Sequence, residues 1–399
     1  MRARPRPSNL LTLWFASNTS VAKYAIGLIP AFLGLPPLPT FLALLSGNAV
    51  GAAVLGLASG MGPKTGLEQI KISRLAFRGW RVFAVFNYLT TLGWFVVNIV
   101  LGSFALGLLG VPVYVGMLVV VAVDGLVAFY GTRAIHAFER AMTFAILALS
   151  IAVTAALAGK SIAFPSRYSP EDFWAVFLSC FGAIASWSPY ASDYTKDIDV
   201  GVGKSVLYTL IGAVIPSTWL SMLGYLSALY AGRSSPIADV ALTLGYLASL
   251  GVLAMLGGVV SADALNLYTN SVSFKAIAGR ETRLAIPITA ALGYAVALAV
   301  YRNFLSYLID FLSALGYWIS PWIGVLIARV LMGRRAGWPQ FLASLALGLA
   351  FMNLTQYGIP YISPIAKALG GIDISQLVML IAPILLSRPG TAANPAGPV

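Results

Sequence analysis

The sequence has almost none of the residues from which proteins build disulfides or transition-metal sites. Among 399 residues there is one cysteine, Cys180, and one histidine, His136. A single cysteine excludes a disulfide within the chain, and a single histidine leaves no convincing cluster of transition-metal ligands. The same scarcity argues against a membrane-embedded enzyme, which needs a nucleophile–base pair or metal ligands within its spans.

Charged residues are scarce as well. They make up 10% of the chain, hydrophobic residues make up 59%, and the mean hydropathy is +0.86. No soluble domain has this composition, so the sequence predicts an all-α polytopic membrane protein with a single membrane domain over 1–399. The basic start has no clean cleavage site and is interpreted as leading into a retained first span, not a signal peptide. The Pro/Gly/Ala-rich tail at 389–399 is predicted to be disordered.

Apolar windows of about 20 residues, the length that crosses a bilayer, recur along the chain. The twelve predicted spans are 10–34, 38–61, 82–108, 112–131, 141–159, 172–192, 205–230, 240–275, 284–301, 303–331, 338–354 and 372–387.

The basic residues orient these spans. With the N-terminus in the cytoplasm, most of the 25 Lys and Arg residues fall on the cytoplasmic side, including a cluster between Lys64 and Arg81. This satisfies the positive-inside rule for a multi-pass plasma-membrane protein with both termini in the cytoplasm. The net charge of +12 is thus an orientation signal facing anionic lipid, and no nucleic-acid partner is expected.

The sixth predicted span does not have the sequence of a plain apolar helix. Its apolar part is followed by Ser186, Trp187, Ser188 and Pro189. Pro189 removes a backbone donor, and freed backbone groups persist at membrane depth only where protein or a water-filled cavity satisfies them. An interrupted helix of this kind is a candidate substrate site. The alternative is a proline kink near a helix end.

The first span has a matching interruption, a polar run at 16–20, five spans earlier. Paired interruptions are typical of transporters built from two inverted five-helix repeats, here about 10–159 and 172–331, with extra helices at about 338–387. The alternative is that the hydroxyl groups bond back to their own helix, although Asn18 is harder to accommodate in that way.

Two further spans carry polar stripes. Asn87, Thr91, Trp94 and Asn98 share one face of the third span, where Trp94 can stack on a planar ring and Asn98 can exchange hydrogen bonds. Polar packing between helices is the alternative. The eighth span carries oxygen-bearing residues that suit a hard cation such as Na⁺. They are Asp263, Asn266, Thr269, Asn270 and Ser273.

Charged residues inside the spans are costly and usually pair or line a pathway. Lys23 follows the break in span one and Asp263 lies in span eight, whereas Asp124 and Asp310 are expected nearer the interfaces. One hypothesis pairs Lys23 with Asp263 or places it in a cation site. The other lets Lys23 reach the outer interface.

Five motifs together resemble the nucleobase–cation symporter-1 family, in its purine–cytosine permease branch. They are LWFASN at 13–18, GPKTGL at 62–67 with Gln69, Ser73 and Arg74, GWFVVN at 93–98, WSPYASDYT at 187–195 and NLYT at 266–269. The resemblance covers nearly the whole chain and implies the LeuT-type fold of two inverted five-helix repeats plus two C-terminal helices.

The resemblance also implies the site. The substrate would lie between spans one, three, six and eight, with the base held against Trp94. Ile184 stands where relatives have an aromatic residue, so Trp187 is the substitute if its helix turns it inward. The expected substrate-binding residues are Ser17, Asn18, Trp94, Asn98, Ile184, Ser186, Trp187 and Asn266. A coupling Na⁺ would be bound by Phe15, Asn18, Asn266, Thr269 and Asn270. Proton-coupled relatives also depart at the position of Asn270.

The expected function is a monomeric symporter that imports a nucleobase such as cytosine or a purine on a Na⁺ or H⁺ gradient. No catalytic residues and no cofactor other than the coupling ion are expected. An amine or amino-acid carrier of the same fold is the main alternative, and Asp263 keeps an amine open. A passive channel, which would show no ion coupling, and a membrane-embedded enzyme are further alternatives.

Overall fold

The computed structural model describes residues 6–129, 132–232, 235–279 and 284–390. The predicted tail beyond residue 390 and the side chain of His136 lie outside the described residues. The helices are α1 (Asn9–Asn18), α2 (Val21–Leu33), α3 (Pro37–Thr65), α4 (Gln69–Ile72), α5 (Val82–Gly107), α6 (Val113–Phe129), α7 (Thr132–Leu157), α8 (Pro170–Ala185), α9 (Ala191–Thr195), α10 (Val202–Ala231), α11 (Pro236–Leu244), α12 (Ala248–Ala278), α13 (Ala285–Val300), α14 (Phe304–Leu326), α15 (Trp338–Leu349), α16 (Pro364–Ala368) and α17 (Ser375–Leu385).

Within this described part, six helical stretches are long and apolar enough to cross a bilayer, among them α3, α5 and α10. Several other predicted spans are shorter or broken helices. The first span is broken into α1 and α2 because Ser20 is extended, with φ −139° and ψ 158°. The Thr19 hydroxyl donates to the Phe15 carbonyl at 2.8 Å and satisfies one of the freed acceptors. The predicted interruption of span one is confirmed.

The sixth span is broken as predicted. Helix α8 ends at Ala185, a 3₁₀ turn covers Ser188–Tyr190 with Pro189 inside it, and α9 is a single short helix. The eighth span was predicted to start too early. Residues 240–244 belong to α11, which ends at Gly245, whose φ of 58° favours glycine, and α12 starts three residues later.

Close backbone contacts between helices hold this bundle together. Helix α3 packs against α8 and α10, and α10 also packs against α2. A Cβ on Gly27 of α2 would lie 2.1 Å from the Ser221 carbonyl oxygen, and one on Gly224 of α10 would lie 2.2 Å from that of Tyr24. Small residues therefore allow the α2 and α10 backbones to touch, as is common between membrane helices.

The segment after α3 holds the inner half of the broken sixth span. The Gln69 backbone N–H donates to Asp193 Oδ1 at 2.8 Å, and its side-chain Oε1 accepts from the Ser192 N–H at 3.2 Å. Glu68 forms ion pairs with Lys71 at 2.6 Å and Lys196 at 3.3 Å. The hydrogen bond from Lys71 lowers the pKa of the Glu68 carboxyl below its ordinary value. The motif at 62–74 thus anchors α9.

Candidate functional site

A cavity lies where the two broken helices meet α5, α7 and α12. The volume open to the centre of a water-sized sphere is about 70 Å³, several times what one water molecule needs. Its lining includes residues from the sequence stripes and breaks, together with the charged residue Lys23: Ala16, Ser17, Thr19, Ser20, Lys23, Trp94, Asn98, Trp187 and Asn266. Substrate-sized space therefore coincides with the predicted interruptions.

Trp94 is fixed on two sides. Its indole N–H donates to the Ser186 hydroxyl at 2.9 Å, and that hydroxyl donates to the Ala183 carbonyl, also at 2.9 Å. Phe311 of α14 packs edge-on against the indole at a centroid distance of 5.6 Å and an angle of 84°. Only 9% of Trp94 is exposed, and that part borders the cavity. The third span and the break in the sixth are thus joined by one hydrogen bond.

The sixth span presents Ala183 and Trp187 to the cavity, one helical turn apart. Trp187 is held by edge contacts to Trp14 at 6.0 Å and to Tyr190 at 5.3 Å. Ile184, which was expected to form this wall, points elsewhere and is fully buried. A Cβ on Gly51 of α3 would lie 3.0 Å from the Ile184 Cβ. The helical period explains the difference, since residue 184 is rotated by about 100° from 183.

Asn98 and Asn266 share one acceptor. Both side-chain amides donate to Asp263 Oδ1, at 2.8 Å from Asn98 and 3.2 Å from Asn266. Asp263 is fully buried behind them. One carboxyl group therefore sets the orientation of both cavity-lining amides.

The position of Lys23 differs from two of the arrangements expected from the sequence. Its side chain lines the cavity and is only 3% exposed, so it does not reach an interface. No ion pair links it to Asp263 or to another carboxylate in the described residues. The predicted pairing with Asp263 and the predicted reach to the outer interface are therefore wrong in this structure, and a role of Lys23 in a cation site stays a prediction.

The oxygens expected to bind Na⁺ are directed to other partners. Asn18 is buried: its amide donates to the Trp14 carbonyl at 2.9 Å and its Oδ1 accepts from Ser217 of α10 at 3.2 Å. The Phe15 carbonyl accepts from Thr19, as described above. On α12, Asn270 Oδ1 accepts from Thr91 at 2.8 Å. In this structure three of the expected ligand oxygens, those of Phe15, Asn18 and Asn270, therefore already accept hydrogen bonds from side chains of the protein.

The position of Asp124 also differs from the one expected from the sequence. This residue was placed near an interface, yet it is fully buried on α6, which packs against α12, and its carboxyl lies beside that of Asp263. Its position near the middle of the predicted span 112–131 was the signal for this depth. Asp310 of α14 is only partly buried.

A second, larger cavity lies beside the segment 66–81. Its volume on the same measure is about 860 Å³. Its lining includes the polar residues Asn87, Thr269, Ser273 and Lys275. Thr269 follows Asn266 by nearly one turn of α12, about 5 Å of rise. This inner vestibule, as we call it, approaches the substrate-sized cavity along α12.

Comparison with known proteins decides the family. A sequence model described as "Permease for cytosine/purines, uracil, thiamine, allantoin" matches residues 3–340. The chain belongs to this family. It is a membrane permease and not an enzyme, and the family resemblance drawn from the five motifs is confirmed.

Named relatives agree with this placement. The permease is 25% identical over 415 residues to the purine-cytosine permease fcyB of Emericella nidulans, covering 92% of this chain and 81% of the relative. It is 27% identical over 378 residues to the cytosine permease of Escherichia coli O157:H7, covering 88% and 85%.

Solved structures of Mhp1, a nucleobase-cation-symport-1 family transporter, match the permease in fold. The closed form with bromovinylhydantoin bound has a TM-score of 0.71 at 17% identity, covering 96% of this chain and 91% of Mhp1. The inward-facing form has a TM-score of 0.77 at 18% identity, covering 96% and 89%. The expected LeuT-type fold is confirmed.

Some parts of the permease's site had no sequence signal. Met142, Thr143 and Ile146 of α7 line the cavity, but nothing in their span distinguishes them from ordinary packing residues. Tyr190 lies in the sixth-span motif and was not singled out. The hydrogen-bond partners of the predicted residues, above all the pair formed by Asp124 and Asp263, depend on how distant helices meet.

Proposed function

We propose that the permease is a secondary active symporter that imports a nucleobase such as cytosine or a purine by alternating access. The observation that carries this proposal is the fixed Trp94 indole, which borders the cavity between both broken helices. A planar ring stacks well on an indole, and a rigid indole loses little conformational entropy when it does so.

The polar groups around the cavity suit the edge of a base. Asn98 and Asn266 are held by Asp263, and Ser17 adds a hydroxyl group that donates and accepts. The Lys23 ammonium is a donor only, so it favours a base with a ring carbonyl, such as cytosine or hypoxanthine. An amine substrate is disfavoured because Asp263 is fully buried behind Asn98 and Asn266 and does not line the cavity.

The direction of transport follows from the proposed topology. The proposed protein is a monomer in the plasma membrane. The basic residues support an orientation with both termini in the cytoplasm, and the segment 66–81 then lies inside. The inner vestibule beside that segment would be the exit to the cytoplasm. The coupling ion in this proposal is Na⁺ or H⁺. If it is Na⁺, Phe15, Asn18, Asn266, Thr269 and Asn270 are the proposed ligands after rearrangement.

The test is uptake by proteoliposomes that contain the parent or Trp94→Ala. Labelled cytosine, adenine, hypoxanthine and uracil are offered separately under an imposed Na⁺ or H⁺ gradient. Removing one stacking partner costs about 1–3 kcal/mol, so we expect binding of the preferred base to weaken roughly 5- to 150-fold.

Trp219→Ala is the matched control, because Trp219 of α10 lies outside the cavity lining and donates to Thr154. It should transport like the parent. A folded parent that neither binds nor accumulates any of the four bases would overturn the proposed function.

A further inference from the structure

Two carboxyl groups meet inside the permease without a counter-charge. Asp124 on α6 and Asp263 on α12 each have 0% of their surface exposed. Within the described residues, neither forms an ion pair with a Lys, Arg or His. Buried charges are normally paired because the interior solvates them poorly. Two of them side by side therefore require another explanation.

The contacts of Asp124 and Asp263 indicate that a hydrogen atom is needed between the two carboxyl groups. Both oxygens of Asp124 and Oδ2 of Asp263 meet no hydrogen-bond donor in the described part of the chain. Yet the two carboxyls contact each other. Ionised carboxylates only accept hydrogen bonds, so this contact becomes a bond when one carboxyl carries a proton and donates it to the other. Two adjacent carboxyl groups cannot both be ionised without a large cost in free energy.

Other charged and titratable groups near the pair do not supply that hydrogen. Groups on α12 and on the helices packed against α6 and α12 include Lys23 of α2, Tyr88 of α5, Arg140 of α7, Asp239 of α11, Lys275 of α12 and Tyr294 of α13. Within the described residues, none of these forms an ion pair or hydrogen bond with Asp124 or Asp263. The side chains of Arg133, His136 and Glu139 on α7 lie outside that part.

The pair is connected to the substrate cavity. Asp263 Oδ1 accepts from Asn98 and Asn266, which border the cavity, while Asp263 Oδ2 faces the pair. One carboxyl group thus joins the proposed base-reading amides to Asp124. Helix α12 also lines the inner vestibule through Thr269 and Ser273, so polar side chains of this helix border both the substrate cavity and the vestibule.

We propose that the permease couples base import to protons and that Asp124 and Asp263 together bind the coupling proton. The proposal rests on the proposed function. One proton enters from outside with the base, forms an O–H bond in the pair, and leaves through the inner vestibule after the base. Only O–H bonds form and break.

The coupling has a simple physical cause. With the proton, the pair is hydrogen-bonded, α6 stays against α12, and Asn98 and Asn266 are held at the cavity. Without it, two adjacent negative charges repel and the amides lose that support. The base therefore binds best to the protonated state, and each ligand increases the affinity for the other. The engagement of Asn18 and Asn270 with Ser217 and Thr91 also favours a proton over Na⁺.

The experiment compares the parent with Asp124→Asn and Asp263→Asn in Na⁺-free proteoliposomes. In the parent, an inward proton gradient should drive accumulation of the base, and the base should acidify the lumen. Both Asn variants should show at least tenfold less gradient-driven accumulation and no acidification. Asp124→Asn, which changes neither a cavity-lining residue nor the acceptor of the two amides, should still exchange labelled for unlabelled base across the membrane. Asp310→Asn, a partly buried aspartate on α14, is the matched control and should behave as the parent does.

Infrared spectroscopy tests the pair without a substrate. The parent at neutral pH should show the carbonyl band of a protonated carboxyl, which Asp124→Asn and Asp263→Asn remove and Asp310→Asn retains. If one of the two Asn variants does not fold, the spectra of the parent and of the other Asn variant still provide the comparison.

Several results would overturn the proton site. They are accumulation that requires Na⁺ and moves no protons, accumulation by both Asn variants at the parent's level, or a parent without the carboxyl band. A parent that binds no base but shows the band lost in both variants would contradict the proposed function and leave the proton site supported.

Discussion

At the scale of single residues, the best-defined feature is the hydrogen bond from Trp94 to Ser186. It joins two spans at the cavity and fixes the face that the indole can offer to a ring. Because the serine hydroxyl passes its own hydrogen to Ala183, the three groups form a short directed chain. Losing the middle member leaves a buried N–H without its acceptor.

Ser186→Ala should therefore destabilise the permease by about 1–3 kcal/mol, the usual cost of an unpaired buried polar group. Combining it with Trp94→Phe removes the orphaned N–H and should recover part of that stability. Thermal unfolding in detergent measures both. A double variant that is less stable than the sum of the two single variants would contradict this account.

The residue scale also shows where sequence reasoning ends. Trp94, Asn98 and Asn266 were identified from helical spacing and the family motifs, and all three border the cavity. Asp124 and Lys23 were misplaced because the depth and neighbours of a charged side chain depend on which helices face it. Asp124 meets Asp263 across 139 residues of chain, a distance that local periodicity does not bridge.

At the scale of elements, α2 and α10 have the closest contact described above. Each helix places a glycine against the other's backbone, at Gly27 and Gly224. Since α2 is the second half of the broken first span, this contact ties one wall of the cavity to the rest of the bundle.

Gly27→Ala should lower the stability of the permease by about 1–3 kcal/mol, typical of overpacking, since its Cβ would lie 2.1 Å from the Ser221 carbonyl oxygen. Base affinity should fall with it because α2 carries Lys23. Gly125→Ala on α6 is the control, because nothing lies within 4 Å of its added Cβ. Equal unfolding temperatures for the two variants would contradict the close contact.

The elements themselves were largely predictable. The breaks in the first and sixth spans followed from polar runs and Pro189, because such sequences cannot continue an apolar helix at membrane depth. The boundary between α11 and α12 was missed because residues 240–260 are predominantly apolar and Gly245, at which the chain turns, is one of several glycines in that range. A hydropathy profile shows which residues are buried in lipid or protein, but it does not show where one helix ends and the chain changes direction.

At the scale of the whole molecule, two spaces on α12 define the path. The substrate-sized cavity includes Asn266, and the inner vestibule begins at Thr269, nearly one turn further along. The sequence indicated the residue types on this helix but not that its stripe divides between two spaces.

A bulky residue in the vestibule should block release without blocking binding. Val272→Trp places an indole among the vestibule-lining residues, so we expect uptake to fall at least tenfold while the base affinity changes less than threefold. Leu253→Trp, on an exposed position of the same helix, should transport normally. Uptake and equilibrium binding measured on the same preparations check this, and equal loss of both in Val272→Trp would contradict it.

The one cysteine of the chain has a practical consequence at this scale. Cys180 has 0% of its surface exposed and lies against α3, where a Cβ on Gly47 would come within 2.8 Å of its own Cβ. Thiol reagents that reach accessible sites should therefore leave the native protein unmarked. Spin or fluorescent labels attached to new cysteines, for example at Tyr246, which is 95% exposed, would report on inward and outward states without first removing a native thiol.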